Sequence, residues 1–374
     1  MPGIYIHVPF CRKACHYCNF HFSTNLSLKQ RMLDCMLEEI RLRKDYLSAK
    51  EIVSVYFGGG TPSVFSKEDL HSILSEINAH FDLEQCKEIC LEANPDDLGP
   101  EYLEELKEIG INRLSIGVQS FFEEDLKWMN RSHSSEQATQ CIMDARAAGF
   151  DSISIDLIFG SPSSSFEIWT RNLEIADSLG IDHISCYGLT VEPKTALQLM
   201  IEKGKTEAPR DEDYSEQFLK TLEFLISKGY EHYEISNYAR NSNYAVHNTN
   251  YWKGVSYLGI GPSAHSFDGE SRSWNISNNN KYMDLIEQGG DFNEHEDLNK
   301  KDRFNEYIMT GLRTKWGIDT ERLKAMDPDY YSQIEDTLQG FLAQEKLMLR
   351  DNSVFLSTNG KLIANSIISD LFIL

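Results

Sequence analysis

Three cysteines, Cys11, Cys15 and Cys18, stand close together near the start of the chain, while Cys35, Cys86, Cys90, Cys141 and Cys186 are scattered through segments of regular pattern. With eight cysteines in 374 residues, a C-x3-C-x2-C spacing arises by chance in about 0.4 % of such chains. Thiolates hold iron–sulfur clusters, and a cubane takes four ligands, so three thiolates in one loop with no fourth beside them leave one iron open. Reactive metal sites keep an open position and structural sites close it. The alternative is a zinc ion completed by His7, His16 or His21, although tetrahedral zinc loops usually pair two short arms of ligands. The other five cysteines read as small buried hydrophobes.

Gly58-Gly59-Gly60-Thr61-Pro62 closes a strand pattern; successive glycines allow close approach of backbone to a ligand, and Thr61 adds a hydroxyl. Glu92 in LEANP, Gln119 in SIGVQS, Arg131 in MNRSH and Asp156 in IDLIFGSP fall at or just beyond predicted strand ends. Side chains at the carboxyl ends of parallel strands face the ligand crevice. Carboxylates there suit ribose hydroxyls, and an amide and a guanidinium suit a ligand's polar edge and carboxylate.

The elements that must position these groups repeat one arrangement, a short β-branched run, a loop and an amphipathic helix, which is the pattern of parallel βα units. Strands are predicted at Ile4–Val8, Ile52–Phe57, Glu88–Ala93, Arg113–Gln119, Ser152–Ile158 and His183–Leu189, with helices starting near Ser27, Ser66, Gly99, Glu123, Ser135 and Ser165. Six such units predict an α/β fold with a partial or complete parallel barrel over residues 1–210. Residues 211–299 read as an elaboration of it: a helix over Asp211–Lys228, a Tyr-rich strand over Tyr230–Tyr238, then an irregular polar and aromatic stretch. Residues 300–374 show helical patterns followed by Leu347–Leu349, a turn at Asp351 and Asn352, Val354–Leu356 and a final helix, which predicts a small winged-helix-like domain. The apolar tail Leu371–Leu374 is expected to pack on those helices.

The composition is that of a globular protein, 41 % hydrophobic and 25 % charged. A net charge of −22 repels phosphate backbones and anionic lipid surfaces, and no basic cluster stands out along the chain, so no nucleic-acid partner is expected. Nothing resembles a secretory signal or an apolar run long enough to span a membrane, so a cytoplasmic protein, not integral to a membrane, is expected.

Tyr5, Cys11, Cys15, Tyr17 and Cys18 resemble the opening of the radical S-adenosylmethionine (SAM) superfamily, C-x3-C-x-aromatic-C after the first barrel strand. The resemblance implies a partial (β/α)6 barrel, a [4Fe-4S] cluster on Cys11, Cys15 and Cys18, and SAM bound to the open iron. It implies that Tyr5 and Tyr17 belong to the cofactor region and that Gly59, Gly60 and Thr61 meet the SAM amino group. Glu92, Gln119, Arg131 and Asp156 are similar to the EXNP, GVQS, NR and DLIXGXP segments that line the SAM site in the branch containing oxygen-independent coproporphyrinogen III oxidase.

Within that branch the chain looks like the HemW-type haem chaperones. Phe20 stands where the oxidase has another cysteine, the cysteine loop starts at residue 11 without the oxidase's N-terminal extension, and His247-Asn248-Thr249-Asn250-Tyr251-Trp252 matches HNXXYW. An imidazole with aromatic rings suits haem, which takes an axial ligand and a flat wall. The resemblance therefore implies haem bound near His247, Asn248, Tyr251 and Trp252 and delivered to an acceptor protein, such as a membrane-bound respiratory subunit. His232, His265 or a cysteine are the other candidates for the iron ligand, and Tyr233-Glu234-Ile235-Ser236-Asn237 resembles the family's YEISN segment, read as a scaffold strand. Residues 300–374 correspond to the branch's C-terminal domain. The alternative function is a radical SAM oxidoreductase acting on a porphyrinogen; coproporphyrinogen III oxidase activity itself is not expected.

Overall fold

The β-branched runs of the first half become six parallel strands: β1 Gly3–Val8, β2 Ser54–Gly59, β3 Glu88–Ala93, β4 Arg113–Gln119, β5 Ser152–Phe159 and β6 His183–Gly188. The computed structural model describes residues 1–374, and in it these strands lie side by side in chain order. Helices open where polar residues offer a side chain to the free N–H groups of the first turn: Ser66 and Ser134 complete capping boxes with Asp69 and Gln137, and Ser165 caps the helix Phe166–Ser178.

Alternation within the strands decides what the sheet encloses. Ile4, Ile6 and Val8 of β1, Val55 and Phe57 of β2, Leu114 and Ile116 of β4, and Ile153, Ile155 and Leu157 of β5 enter the core under the helices. Their neighbours face the inside of the arc: Tyr5 and His7, Tyr56, Arg113 and Ser115, Ser154 and Asp156 all line one cavity. Side chains on a strand alternate between faces. Barrels of this kind usually fill their interior with bulky branched residues; here the inward set is polar, and the interior stays hollow.

Residues 211–299 extend the sheet at both ends. The expected single strand Tyr230–Tyr238 is two short antiparallel strands, β7 Glu231–His232 and β8 Asn237–Ala239. Glu234 folds the intervening segment into a turn by accepting from the Ser236 N–H and the Asn237 side-chain amide. The stretch expected to be irregular contains the helix Val246–Trp252, β9 Tyr257–Ile260, β10 His265–Phe267 and β11 Ser271–Asn275, with β12 Asn293–Asp297 beyond. β9 pairs parallel to β1, β8 pairs antiparallel to β6, and the twelve-stranded sheet runs from β12 at one edge to β7 at the other, so the arc does not close.

Phe218, Leu222, Leu225, Tyr282 and Ile286 share one apolar core with the barrel, while Phe304, Ile308, Leu338, Val354 and Ile367 belong to a second core built entirely within residues 304–373. Around that core stand the helices Lys300–Leu312, Thr320–Met326 and Pro328–Ala343 and a small sheet in the order β13 Ile318–Asp319, β15 Ser353–Leu356, β14 Leu347–Arg350. The turn falls at Asp351 as expected, with φ of 53°. The expected final helix is two, Thr358–Leu362 and Ala364–Asp370. Of the tail, Leu371 and Ile373 are buried and Leu374 is exposed. No helix is long and apolar enough to cross a membrane.

Candidate functional site

The loop after β1 carries the cysteine trio to the carboxyl-end face of the sheet. Cys11, Cys15, Tyr17 and Cys18 line a cavity of about 370 Å³ with Gly59, Gly60, Thr61, Glu92, Gln119, Arg131 and Asp156, so every residue expected at the cluster and SAM except Tyr5 meets in one place. All eight cysteines are free.

The loop is pinned from two sides. Gly60 and Thr61 donate their backbone N–H groups to Val8 O and Phe10 O at 2.8 and 2.7 Å. A side chain at Gly60 would drive a Cβ to 2.6 Å from Phe10 O, and Gly59 adopts φ of 105° against the His7 ring, so both positions need glycine. From the other side Asn130 Nδ2 donates to Ala14 O at 2.7 Å, and the backbone N–H of His16 donates to Met129 O at 3.1 Å. The Thr61 hydroxyl donates to Cys11 Sγ at 3.3 Å, a contact that favours thiolate, and Arg131 Nη1 donates to Cys15 Sγ at 3.2 Å. Burial, reinforced by Cys18 and Cys15 and opposed by Thr61 and Arg131, pushes the Cys11 thiol up to about 12, and a bound metal would repay that desolvation by holding the thiolate.

Arg131 also donates to Asn94 Oδ1 at 2.6 Å and to Gly117 O at 2.7 Å, which fixes its plane over the cavity. Asn94 is a site residue that sequence reading passed over, although it stands in the same LEANP segment as Glu92. Glu92 accepts from Tyr56 OH at 2.7 Å and from the Gly59 N–H at 3.2 Å. Asp156 lies in mid-strand rather than at a strand end, on the inward face of β5. Burial raises Glu92 to about 7 and Asp156 to about 6. Folding therefore retains protons that the unfolded chain releases, and these two groups lower stability as pH rises from the ordinary carboxylate range through 7. The metal-free Glu92→Gln protein is expected to lose part of that decline between pH 5 and 8, measured by thermal unfolding.

These residues fit a cluster with SAM. No three His, Cys, Asp or Glu side chains converge tightly enough to grip a single ion, whereas three thiols spaced around a cavity suit separate corners of a polynuclear group. Asp156 Oδ1 and Arg131 Nε are buried without a partner at the wall of this cavity, polar atoms awaiting a ligand.

A second cavity, about 730 Å³, fills the barrel interior and shares Asn19, Phe20, Glu92, Ser115, Asp156 and Tyr187 with the first. Phe20 is 67 % exposed at this junction. Tyr5 belongs here and not at the thiols: it stacks near Tyr56 and its hydroxyl bonds His7 Nδ1 at 3.1 Å. The cavity is lined by five histidines, His7, His21, His183, His247 and His265. Both ring nitrogens of His7 are engaged, by Tyr5 and by His21 O. His183 bonds Tyr233 OH, and its other nitrogen is buried.

The helix Val246–Trp252 closes the end of the barrel opposite the cysteines. Its first N–H groups, Val246 and His247, donate to the two oxygens of Glu88 at 2.7 and 2.9 Å, and Glu88 faces Arg113, both buried at the starts of β3 and β4. His247 thereby lies against Tyr56, ring centroids 5.2 Å apart, with Nδ1 3.0 Å from Ser54 Oγ. Its Nε2 has no partner and is not sealed from the cavity that the ring lines. Asn248 and Tyr251 line the same cavity; Trp252 does not, and faces a separate cleft toward the C-terminal helices. The six-residue segment therefore does not present its imidazole and its indole to one ligand, because His247 and Trp252, five residues apart on a helix, point about 140° apart. His232 is removed from candidacy: its Nε2–H donates to Ile235 O and its Nδ1 accepts from Lys361, outside the barrel cavity. Replacing Glu88 with Ala leaves Arg113 buried without its anion and the closing helix without its anchor. The expected loss is about 3 kcal/mol or more in denaturant unfolding.

An arc of six parallel strands with three free thiols after the first strand and a ligand cavity across the carboxyl ends defines a radical SAM protein, and residues 5–167 match the radical SAM superfamily. The chain is 32 % identical to the heme chaperone HemW of Bacillus subtilis over 98 % of each chain, and 31 % identical to the heme chaperone HemW of Mycobacterium tuberculosis over 99 % of this chain and 94 % of the other. It is also 30 % identical to the mitochondrial radical S-adenosyl methionine domain-containing protein 1 of Danio rerio, over 99 % of this chain and 87 % of that one. Its fold superposes on coproporphyrinogen III oxidase (HemN) of Escherichia coli with a TM-score of 0.86 at 23 % identity, covering 99 % of this chain and 90 % of the other. The chain belongs to the HemW family of radical SAM proteins.

Proposed function

We propose that this protein is a haem chaperone of the cytoplasm that holds a [4Fe-4S] cluster with SAM, takes haem into the barrel cavity, and passes it to an acceptor protein such as a membrane-bound respiratory subunit. The observation that carries the reading is full-length membership of a family whose curated bacterial relatives are named heme chaperones, in a chain with Phe20 at the junction of the two cavities. Cys11, Cys15 and Cys18 hold the cluster. Glu92, Gln119, Arg131 and Asp156 hold SAM, with Gly59, Gly60 and Thr61 forming the adjoining wall. When bound, these groups supply one-electron reduction of a sulfonium. His247 ligates the haem iron through Nε2, oriented by Ser54 as metal-bound imidazoles are oriented by a hydrogen bond on the other nitrogen. Asn248 and Tyr251 line the haem side, and Trp252 faces the cleft toward the C-terminal helices instead of touching haem.

A radical SAM oxidoreductase acting on a porphyrinogen by hydrogen abstraction is the second reading, favoured by the complete set of SAM-lining residues at the boundary of the larger cavity. Anaerobically reconstituted protein, SAM and a reductant are incubated in one arm with coproporphyrinogen and in the other, after haem loading, with a haem-free acceptor. The chaperone reading expects haem transfer and no decarboxylated product; product without transfer overturns it.

A further inference from the structure

Outside both barrel cavities, and sharing no residue with them, a small pocket of about 220 Å³ lies where β7 and its turn meet the C-terminal domain. Arg313, Lys315, Arg350 and Lys361 line it against a single carboxylate, Glu234. Only Lys315 has an anionic partner, Glu231 at 2.7 Å; Arg313, Arg350 and Lys361 form no ion pair. In a chain of net charge −22, three cations without an ion-pair partner gathered in one concavity are contrary to the general field.

Lys361 is the most constrained of them. The Ile235 carbonyl can only accept, so His232 Nε2 must carry the proton, and His232 Nδ1 accepts from Lys361 Nζ at 2.7 Å. His232 is itself fixed face to face on Tyr238, with ring centroids 4.3 Å apart. One N–H of the ammonium is thus aimed at a neutral imidazole, and the other two have no acceptor. Arg313 is oriented by Asn365 Oδ1 at 2.6 Å, and Arg350 lies exposed on the hairpin. Glu234 acts on Arg313 only at a distance and forms no ion pair with any of them: its carboxylate is turned to Ser236 and Asn237, and burial raises it to about 7.

We propose that this pocket binds a compact tetrahedral oxyanion of the phosphate or pyrophosphate class, which bridges Arg350 and Lys361 of the C-terminal hairpin and helix to Arg313 beside the barrel strand. The site is independent of the haem reading. Isothermal titration of pyrophosphate into the full-length protein, at constant ionic strength set with chloride, tests it. The expected result is saturable binding, weakened about tenfold by Lys361→Met and severalfold by Arg350→Ala. Arg350 is exposed, so its variant reports on binding even where loss of Lys361 disturbs folding. Absence of binding to the wild-type protein, or equal affinity in the Arg350→Ala protein, overturns the proposal.

Discussion

The His247→Ala protein is expected to bind haem at least about tenfold more weakly than the wild type, a loss of about 1.4 kcal/mol or more, with a displaced Soret band. The expectation rests on position: His247 is held at both ends, by the Glu88 carboxylate on its backbone N–H and by Ser54 on Nδ1, which leaves Nε2 as its free donor. Ser54→Ala, which loosens the ring without removing it, should weaken binding by a smaller factor, and His265→Ala should leave the band in place. An unchanged Soret band in His247→Ala with a shifted one in His265→Ala would transfer the iron to the other histidine. The pH profile adds a second signature. Burial lowers His247 to about 4, so the imidazole stays neutral and able to ligate iron from pH 8 down to about 5, where an ordinary histidine is mostly protonated. The same depression means that the native state binds fewer protons than the unfolded chain, so the contribution of His247 to stability is present above about 6.5 and is lost as pH falls toward 4.

The second large effect is expected at the thiols. Cys15→Ala, reconstituted without oxygen, should lose the broad visible absorption of thiolate-to-iron charge transfer, because two thiolates leave two irons open and do not retain a cubane. Arg131→Ala removes the guanidinium from Cys15 Sγ and from Asn94 Oδ1. It should keep the colour but lose most SAM affinity, measured by equilibrium dialysis. A coloured Cys15→Ala protein would assign the cluster to other ligands.

Much of the fold was legible because parallel βα units impose local rules: the six predicted strands coincide with β1–β6 to within two residues at each end, and Ser66, Gly99, Ser134 and Ser165 stand at real helix starts, whereas near Ser27 the cap is Asn25 on a short turn ahead of the helix Lys29–Leu42. The hollow interior was equally present in the letters, since IYIHV, SISID and HISCY alternate apolar with polar residues. A parallel strand buried on both faces reads as a continuous apolar run, so this alternation marks a polar cavity and was passed over in favour of the β-branched content alone. The residues expected at the thiols and SAM meet in one cavity because most of them sit in short segments at or beyond successive strand ends, with Asp156 reaching the same cavity from mid-strand. Tyr5 lines the barrel cavity and not the thiol cavity because it shares the inward face of β1 with His7, two residues on, ahead of the loop that carries the cysteines.

What lay beyond the sequence depends on contacts between distant segments. Nothing local to HNTNYW tells that Glu88 and Arg113, more than a hundred residues earlier, seat it across the barrel end opposite the cysteines. The hairpin in place of one strand at Tyr230–Tyr238 follows from the bonds of Glu234 to its own turn. The basic pocket was invisible for the same reason: Arg313, Arg350 and Lys361 are far apart along the chain, and only folding gathers them.

Iron, acid-labile sulfide and zinc measured together on protein purified without oxygen test the central assignment most directly, since cluster, SAM and haem handling all depend on the trio. The account predicts four irons and four sulfides per chain with no zinc, in the ratio of one cubane. One zinc per chain with no sulfide would contradict it.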